Sequence, residues 1–256
     1  MEQPPPLSEV QPATPKSPPM SLMARLLNVF ASPGEVFDDI KATPPAASNW
    51  LIPALLFAVV GVISVMIIFA QPAIVQPIVE QQSKKMDEAV KAGKMTQAQA
   101  DQAEKFMGPM TFKIAGSVFS VIGSVVRLLW WGLILWLLGK ILKKPFAYGK
   151  GLEVAGLASM ITVLGAVVGL LLIVNFSKLS ATPSLGALVK DFDMTRKSHL
   201  MMGAANVFYF WQVGVFSVGL SRLAGVPFIR ALPLVVVCWA LQELLFIFSG
   251  MGQFAL

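Results

Sequence analysis

Long apolar stretches alternate with polar segments along this chain. Each has about 20 residues or more, the length that an α-helix needs to cross a hydrocarbon core of ~30 Å. Because lipid offers the backbone no hydrogen-bond partner, such stretches are expected to form helices that satisfy their own N–H and C=O groups. Five stretches qualify: Leu51–Ala70, Ile114–Gly139, Leu152–Val174, Met201–Leu220 and Ala231–Gly250. The pattern predicts an all-α membrane protein built as a bundle of five transmembrane helices.

Two different patterns precede the first span. Residues 1–20 are polar and contain seven prolines, which disfavour helix, so they are predicted to form a disordered tail. The tail lacks the apolar core of a signal peptide and is expected to stay cytosolic. Residues 21–49 carry apolar positions at helical spacing, which predicts amphipathic interfacial helices. Ser32-Pro33-Gly34-Glu35 predicts a helix start inside this segment, with Ser32 and Glu35 forming a capping box.

The central region, residues 50–250, holds the five spans and one large polar insertion. The insertion, residues 71–113, is predicted to form an extramembrane helical hairpin. Thr96 and Gln99 have the spacing of a capping box, and Gly93 is expected to separate the two helices. Residues 251–256 are a short C-terminal tail.

Composition supports the membrane assignment. Of the 256 residues, 55% are apolar and only 13% are charged, whereas soluble domains have about 25% charged residues. The net charge is +6, but the basic residues lie mostly beside the spans, where they set topology and contact lipid headgroups. No base-reading motif is present, so nucleic acid is not an expected partner. The single cysteine, Cys238, excludes an intramolecular disulfide and Cys-based zinc sites.

The turns after the second and fourth stretches are short and basic. They contain no acid and form a candidate cytosolic basic surface of six residues: Lys140, Lys143, Lys144, Lys150, Arg222 and Arg230. Short, positively charged loops are retained on the cytosolic side of a membrane. The pattern therefore predicts a cytosolic N-terminus and a C-terminus on the outside.

Two ionisable residues stand out inside the stretches, Arg127 in the second and Glu243 in the fifth. Each is twelve residues from the predicted cytosolic end of its span, which places both at a depth of ~18 Å. A charge at that depth costs at least ~2.5–3.5 kcal/mol and is expected to face the bundle interior. The two residues are a candidate intramembrane ion pair. Three interpretations remain open: a structural pair, a substrate or proton path, and two unpaired charges.

Motifs for catalysis are not found. The sequence has no His-Glu-x-x-His, Gly-x-Ser-x-Gly or phosphate-binding glycine loop. The only histidine, His199, has no cysteine or acidic cluster beside it that would suggest a metal site. We predict a protein that is not an enzyme and has no catalytic, cofactor-binding or metal-binding residues.

Several segments together resemble the bacterial branch of the Yip1 family. They are RLLNVFASPGEVFDDIK and NWLIPALL before and within the first span, KKPFAYGKGLEVAGLASM at the third, and ANVFYFWQVGVFSVGLSRLAGVPFIRAL across the fourth and fifth. The resemblance covers about residues 21–250 and implies a five-helix bundle with a cytosolic N-terminus. Eukaryotic relatives act in vesicle traffic and bind Rab-type GTPases. This chain lacks their Asp-Tyr-x-Gly-Pro motif, and the resemblance supplies no catalytic residue.

Two functions are consistent with these observations. The first is a multi-pass protein of the cell (inner) membrane that acts as a non-enzymatic adaptor or organiser, with a membrane or cytosolic protein as its partner. The second is a small transporter or lipid-handling protein in which Arg127 and Glu243 line a polar path. Both involve the lipid bilayer, and a homo-oligomer is compatible with either.

Overall fold

The computed structural model describes residues 18–105 and 108–249. Regular structure in this part of the chain consists of ten α-helices and one short 3-10 helix, Leu185–Leu188. The α-helices are α1 (Leu22–Ala31), α2 (Pro33–Ala42), α3 (Ser48–Ile68), α4 (Pro72–Lys91), α5 (Gln97–Lys105), α6 (Pro109–Ile141), α7 (Tyr148–Phe176), α8 (Lys197–Ala204), α9 (Val207–Ala224) and α10 (Phe228–Phe248). Residues 1–17 of the predicted tail and the C-terminal tail, 251–256, lie outside the described residues.

Five helices are long and apolar enough to cross a membrane: α3, α6, α7, α9 and α10. They confirm the predicted all-α, five-span membrane protein. Four spans overlap their predicted ranges closely, but the fourth starts at Val207 instead of Met201. The shift has a local cause, because Asn206 caps α9 by accepting the Phe208 amide at 2.9 Å. The apolar residues before it belong to α8, a separate helix.

The bundle is organised around α7. Helices α3, α6 and α7 pack against one another, and α9 packs between α7 and α10. Two glycines of α7 permit the closest approaches. A Cβ at Gly156 would collide with the backbone of Trp50 in α3, and a Cβ at Gly151 would lie 2.7 Å from the Gly132 carbonyl oxygen in α6. The first contact places the first turn of α3 against α7, and the second places α6 against the start of α7.

The predicted extramembrane hairpin is present as α4 and α5. Gly93 separates the two helices with a positive φ of 67°, a conformation that glycine adopts without strain. The capping box is formed, since the Gln99 amide donates to Thr96 Oγ1 at 3.3 Å and the Thr96 amide donates to Gln99 Oε1 at 2.9 Å. Gly108 then caps α6, whose first residue is Pro109.

The N-terminal amphipathic segment forms two helices, and their apolar faces pack on the bundle. Val29, Val36, Phe37 and Ile40 are fully buried. α1 packs on α7 and α3, whereas α2 packs mainly on α9. The amphipathic pattern therefore reflects burial against protein and not only contact with the membrane interface.

Ser32 connects α1 directly to α2. Its amide donates to the Asn28 carbonyl oxygen at 2.7 Å, and its own carbonyl accepts the Glu35 amide at 3.1 Å. Pro33 occupies the first turn as predicted, but the Ser32 side chain does not cap α2. One residue thus ends the first helix and begins the second, which replaces the predicted capping box.

Candidate functional site

A network of buried polar side chains holds α1 and α2 to the bundle. It begins between the two helices, where Arg25 Nε donates to Asp39 Oδ2 at 2.8 Å. Arg25 is only 7% exposed. Asp39 also accepts the Met20 amide through Oδ1 at 3.1 Å. The Arg25–Asp39 ion pair thereby closes α1 and α2 into a helical hairpin.

Asn49 links this hairpin to the bundle. It lies in the first turn of α3 and is fully buried. Its Oδ1 accepts from Arg25 Nη1 at 3.0 Å, and its Nδ2 donates to Glu153 Oε1 in α7. Both ends of the amide are therefore used, as expected for a buried polar side chain.

Glu153 is the most enclosed charge of the network, with no exposed surface. Oε1 accepts the Ala46 amide at 2.9 Å in addition to Asn49 Nδ2. Oε2 lies 2.8 Å from Lys150 Nζ, one turn earlier on α7. This second contact is an ion pair that lacks the alignment of a hydrogen bond.

Lys150 connects α7 to the end of α2. Its ammonium donates to the carbonyl oxygens of Ile40 at 2.6 Å and Thr43 at 2.7 Å. These carbonyls lie in and just after the last turn of α2, which ends at Ala42. Cations are favoured there because the last carbonyls of a helix have no intrahelical donors and carry the negative end of its dipole.

We call this network the charge clasp and define it as Arg25, Asp39, Asn49, Lys150 and Glu153. Its two cations and two anions balance. A buried ion pair adds little net stability, yet removing one partner costs about 3–5 kcal/mol because the other charge is left uncompensated. The clasp therefore fixes one position of the hairpin on the bundle.

The clasp corrects one part of the sequence interpretation. Lys150 was predicted to belong to an exposed basic surface, but it is 8% exposed and paired. Glu153 was not singled out, because it is the second residue of the third apolar stretch. The signal that could have found it is the i, i+3 spacing of Lys150 and Glu153, which puts opposite charges on one helix face.

Comparison with known proteins gives one match, to the family model of the Yip1 domain over residues 27–251. The chain belongs to the Yip1 family. No curated protein and no solved structure matches it. The Yip1 domain thus includes four residues of the clasp, Asp39, Asn49, Lys150 and Glu153, whereas Arg25 lies two residues before the matched range.

The other members of the predicted basic surface remain accessible in the Yip1 domain. Lys143, Lys144 and Arg230 are exposed, and the Lys140 ammonium lies 3.6 Å from the centre of the Trp136 ring. Arg222 reaches α2, where Nη1 lies 3.2 Å from Asp38 Oδ2. The structure therefore divides the six residues into a buried lysine, a lysine-rich turn between α6 and α7, and two arginines around the α9–α10 turn.

One exposed area is formed jointly by the α9–α10 turn and the hairpin of α1 and α2. Lys41 Nζ donates to the Arg222 carbonyl oxygen at 2.8 Å, at the end of α9. Asp38 pairs with the Arg222 side chain, and Glu35 is exposed one turn earlier on α2. We call Glu35, Asp38, Lys41 and Arg222 the platform. It lies on the outer side of the hairpin that the clasp holds from the inside.

The structure does not bring Arg127 and Glu243 of the Yip1 domain into direct contact. The four ion pairs within 4.0 Å among residues 18–105 and 108–249 do not include them. Arg127 Nη2 instead donates to Gln212 Oε1 at 2.9 Å, and its guanidinium lies 5.3 Å from the Tyr209 ring centre. Glu243 is still close enough for an electrostatic interaction with Arg127. The two charges lie in one region of the bundle, but Arg127 contacts an amide and an aromatic ring, and Glu243 accepts from the neighbouring Gln242 side-chain amide at 3.5 Å.

Arg127 borders a small crevice between α3, α6, α7 and α9. Its Nε and the hydroxyl of Thr162 are both buried, and neither has a hydrogen-bond partner among residues 18–105 and 108–249. The cavity measures about 10 Å³, which is close to the minimum of ~10–15 Å³ that a single water molecule requires.

Within the described residues, no group of three or more His, Cys, Asp or Glu side chains could hold a metal ion. His199, in the first turn of α8, instead accepts the amide of Asp193 through Nδ1 at 2.9 Å, and Asp193 lies in the loop between α7 and α8. The hydroxyl and amide of Thr195 donate to the Asp193 carboxylate and lower its pKa below the usual value. These contacts order the loop locally.

Proposed function

We propose that this protein is a non-enzymatic adaptor or organiser of the cell membrane that presents the platform to a protein partner. In this proposal the platform faces the cytosol, and the partner carries charges complementary to Glu35, Asp38, Lys41 and Arg222. We also place the chain in the bacterial branch of the Yip1 family, since it lacks the Asp-Tyr-x-Gly-Pro motif.

The observation that carries the proposal is the charge clasp. Its ionisable groups are engaged with one another or with the backbone, so their role is to position helices. They hold a hairpin of only twenty helical residues at one place on the bundle. A hairpin fixed in this way offers a partner a preformed surface, which lowers the entropic cost of binding.

Charge distribution supports a cytosolic platform. The α6–α7 turn has three exposed lysines, Lys140, Lys143 and Lys144, and lies on the same side of the bundle as the hairpin. The α9–α10 turn adds Arg222 and Arg230. Short basic turns are retained in the cytosol. On this basis we propose that the N-terminus is inside and the C-terminus outside, in the inner membrane of a bacterial cell.

Transport or lipid handling is the second candidate, and the crevice beside Arg127 is the observation that favours it. A polar group buried among membrane helices is a default functional candidate. The crevice, however, has space for about one water molecule. A path for a larger solute would require α3, α6, α7 and α9 to separate, so the adaptor function is the better supported of the two.

The proposal is tested by site-specific photo-cross-linking in cells. A photoreactive residue at Glu35, and in a second variant at Asp38, places the probe on the platform. The matched control is Gln81, an exposed position of α4 on the opposite side of the bundle. Cross-linked products are identified by mass spectrometry and confirmed by tagging the captured protein and repeating the capture in reverse.

The expected result is one protein that is captured from both platform positions and not from Gln81. A platform that forms adducts only with lipid, or with a second copy of the chain, would contradict the adaptor proposal. Transport would be supported by solute movement into vesicles containing the purified protein, if that movement is lost on Arg127→Gln.

A further inference from the structure

The α9–α10 turn borders an open groove that shares Arg222 with the platform. It is lined by six residues: Val218, Ser221, Arg222, Val226, Pro227 and Phe228. Its volume is about 390 Å³, within the range of ~300–1,000 Å³ that is typical of small-ligand sites. The groove is therefore large enough for a headgroup, unlike the crevice beside Arg127.

Positive charge predominates around this groove. The Arg222 side chain lines it and is 50% exposed. Lys41 Nζ lies at the adjoining end of α9, where it donates to the Arg222 carbonyl oxygen. Arg230 is exposed in the first turn of α10, and among the described residues its side chain has no ion-pair partner. One carboxylate, Asp38, contacts these cations directly.

Apolar surface continues from the groove along the start of α10. The groove walls include Val218, Val226 and Phe228. Phe228 is 42% exposed and Ile229 is 72% exposed, in the first turn of a membrane-spanning helix. An apolar side chain at this level faces the boundary between headgroups and acyl chains. The combination of a cationic groove with an apolar flank matches a molecule that has an anionic head and a hydrocarbon tail.

We propose that the groove at the α9–α10 turn binds one anionic phospholipid, with its phosphate against Arg222 and Arg230 and its acyl chains along Phe228 and Ile229. A guanidinium suits a phosphate because its N–H groups can form two parallel hydrogen bonds. Basic pockets between membrane helices are a recognised type of lipid headgroup site. The proposal does not depend on which protein the platform binds, although Arg222 belongs to both surfaces.

Asp38 gives the proposal a distinctive consequence. Its carboxylate competes with a phosphate for Arg222, and the Arg222–Asp38 pair is exposed on both sides, so it is weak. Removing that carboxylate should therefore strengthen lipid binding although it removes a contact within the protein. A purely structural role of Arg222 predicts no such gain.

The test measures lipid binding to the purified full-length chain in detergent, by native mass spectrometry with phosphatidylglycerol or phosphatidylcholine. The parent protein is expected to prefer phosphatidylglycerol. Since each basic residue near a membrane surface contributes a factor of about five, R222Q and R230Q should each weaken binding about fivefold. D38N should strengthen it by a similar factor. Arg196→Gln, an exposed arginine in the loop before α8, is the matched control and should have no effect.

Four outcomes would overturn the proposal, three of them in the lipid-binding comparison and one in competition with phosphate. The first three are equal binding of the two lipids, unchanged phosphatidylglycerol binding in both R222Q and R230Q, and weaker binding in D38N. Inorganic phosphate distinguishes a lipid site from a phosphate site: full displacement of the lipid by millimolar phosphate would also contradict it. Because the Arg230 side chain has no ion pair with any residue that the structure describes, R230Q keeps the test informative if R222Q does not fold.

Discussion

Replacing Glu153 by Gln tests the clasp most sharply. The substitution keeps the size of the side chain and an acceptor for the Ala46 amide and Asn49 Nδ2, which now meet at Oε1. It removes the charge that faces Lys150 Nζ at 2.8 Å. Lys150 then remains buried with only two carbonyl oxygens as partners. Leaving one charge of a buried pair uncompensated costs about 3–5 kcal/mol.

The assay is unfolding of the purified protein in mixed micelles with increasing sodium dodecyl sulfate, followed by circular dichroism. Glu153→Gln and Lys150→Met should each lower the free energy of unfolding by about 3–5 kcal/mol. The double variant has no charge left to compensate. It should therefore be more stable than the sum of the single effects predicts, by about 2–3 kcal/mol, the upper range for residues in contact.

The matched control is the exposed Arg196–Asp193 pair, whose side chains are 68% and 33% exposed. Arg196→Gln should leave the unfolding curve nearly unchanged, because exposed ion pairs contribute little. The reasoning would be refuted if Glu153→Gln were as mild as Arg196→Gln, or if the effects of Lys150→Met and Glu153→Gln were simply additive.

Three further predictions concern packing, capping and the loop before α8. Gly156→Ala would drive a Cβ into the α3 backbone and should destabilise the bundle by about 3 kcal/mol. Gly123→Ala is the control: its Cβ would meet no described atom within 4 Å, so it should stabilise the bundle by about 0.5–1 kcal/mol. The same micelle unfolding assay measures both. Asn206→Ala removes the cap of α9 and should cost about 1 kcal/mol, seen as faster hydrogen exchange in the first turn of that helix. Thr195 lowers the pKa of Asp193 in the folded protein. The contribution of this carboxylate to stability should therefore be complete above the unfolded pKa of about 3.9 and lost as the pH falls through the lower folded pKa. Thr195→Val should raise the folded pKa of Asp193 in a carbon-13 NMR titration, and an unchanged titration would contradict the assignment.

Much of the fold could be predicted because it depends on composition along the chain. Span length and apolarity fix where a helix must satisfy its own backbone groups, and α3, α6, α7 and α10 follow these rules. The fourth span shows their limit. Met201 and Met202 are apolar enough to extend it, but Asn206 offers a local hydrogen bond that starts the helix later. Apolarity alone therefore does not predict whether such a cap starts the helix later.

The clasp was harder to predict because it depends on which helices meet. Lys150 and Glu153 stand at the edge of an apolar stretch, where charges normally face headgroups. They are buried because Gly151 and Gly156 allow close approach of α6 and α3, and because α2 folds back over them. Both causes are long-range contacts, which a single sequence read in order does not provide.

Arg127 and Glu243 are a pair whose proximity the sequence predicted but whose direct contacts it did not. The sequence placed both charges at a comparable depth, and the structure keeps them within electrostatic range. The sequence alone could not predict that Gln212 on α9 would accept a hydrogen bond from Arg127 directly. Depth along a helix limits which residues are neighbours, but rotation about the helix axis decides which side chains touch.

The central claim is that the clasp holds the platform in the form that a partner recognises. The most direct test repeats the photo-cross-linking from Glu35 in three backgrounds: parent, Lys150→Met, and Lys150→Met with Glu153→Gln, each normalised to the amount of protein in the membrane. The account predicts that the partner adduct is lost in the single variant and largely regained in the double variant. Equal capture of the partner in the single variant and the parent would contradict the claim.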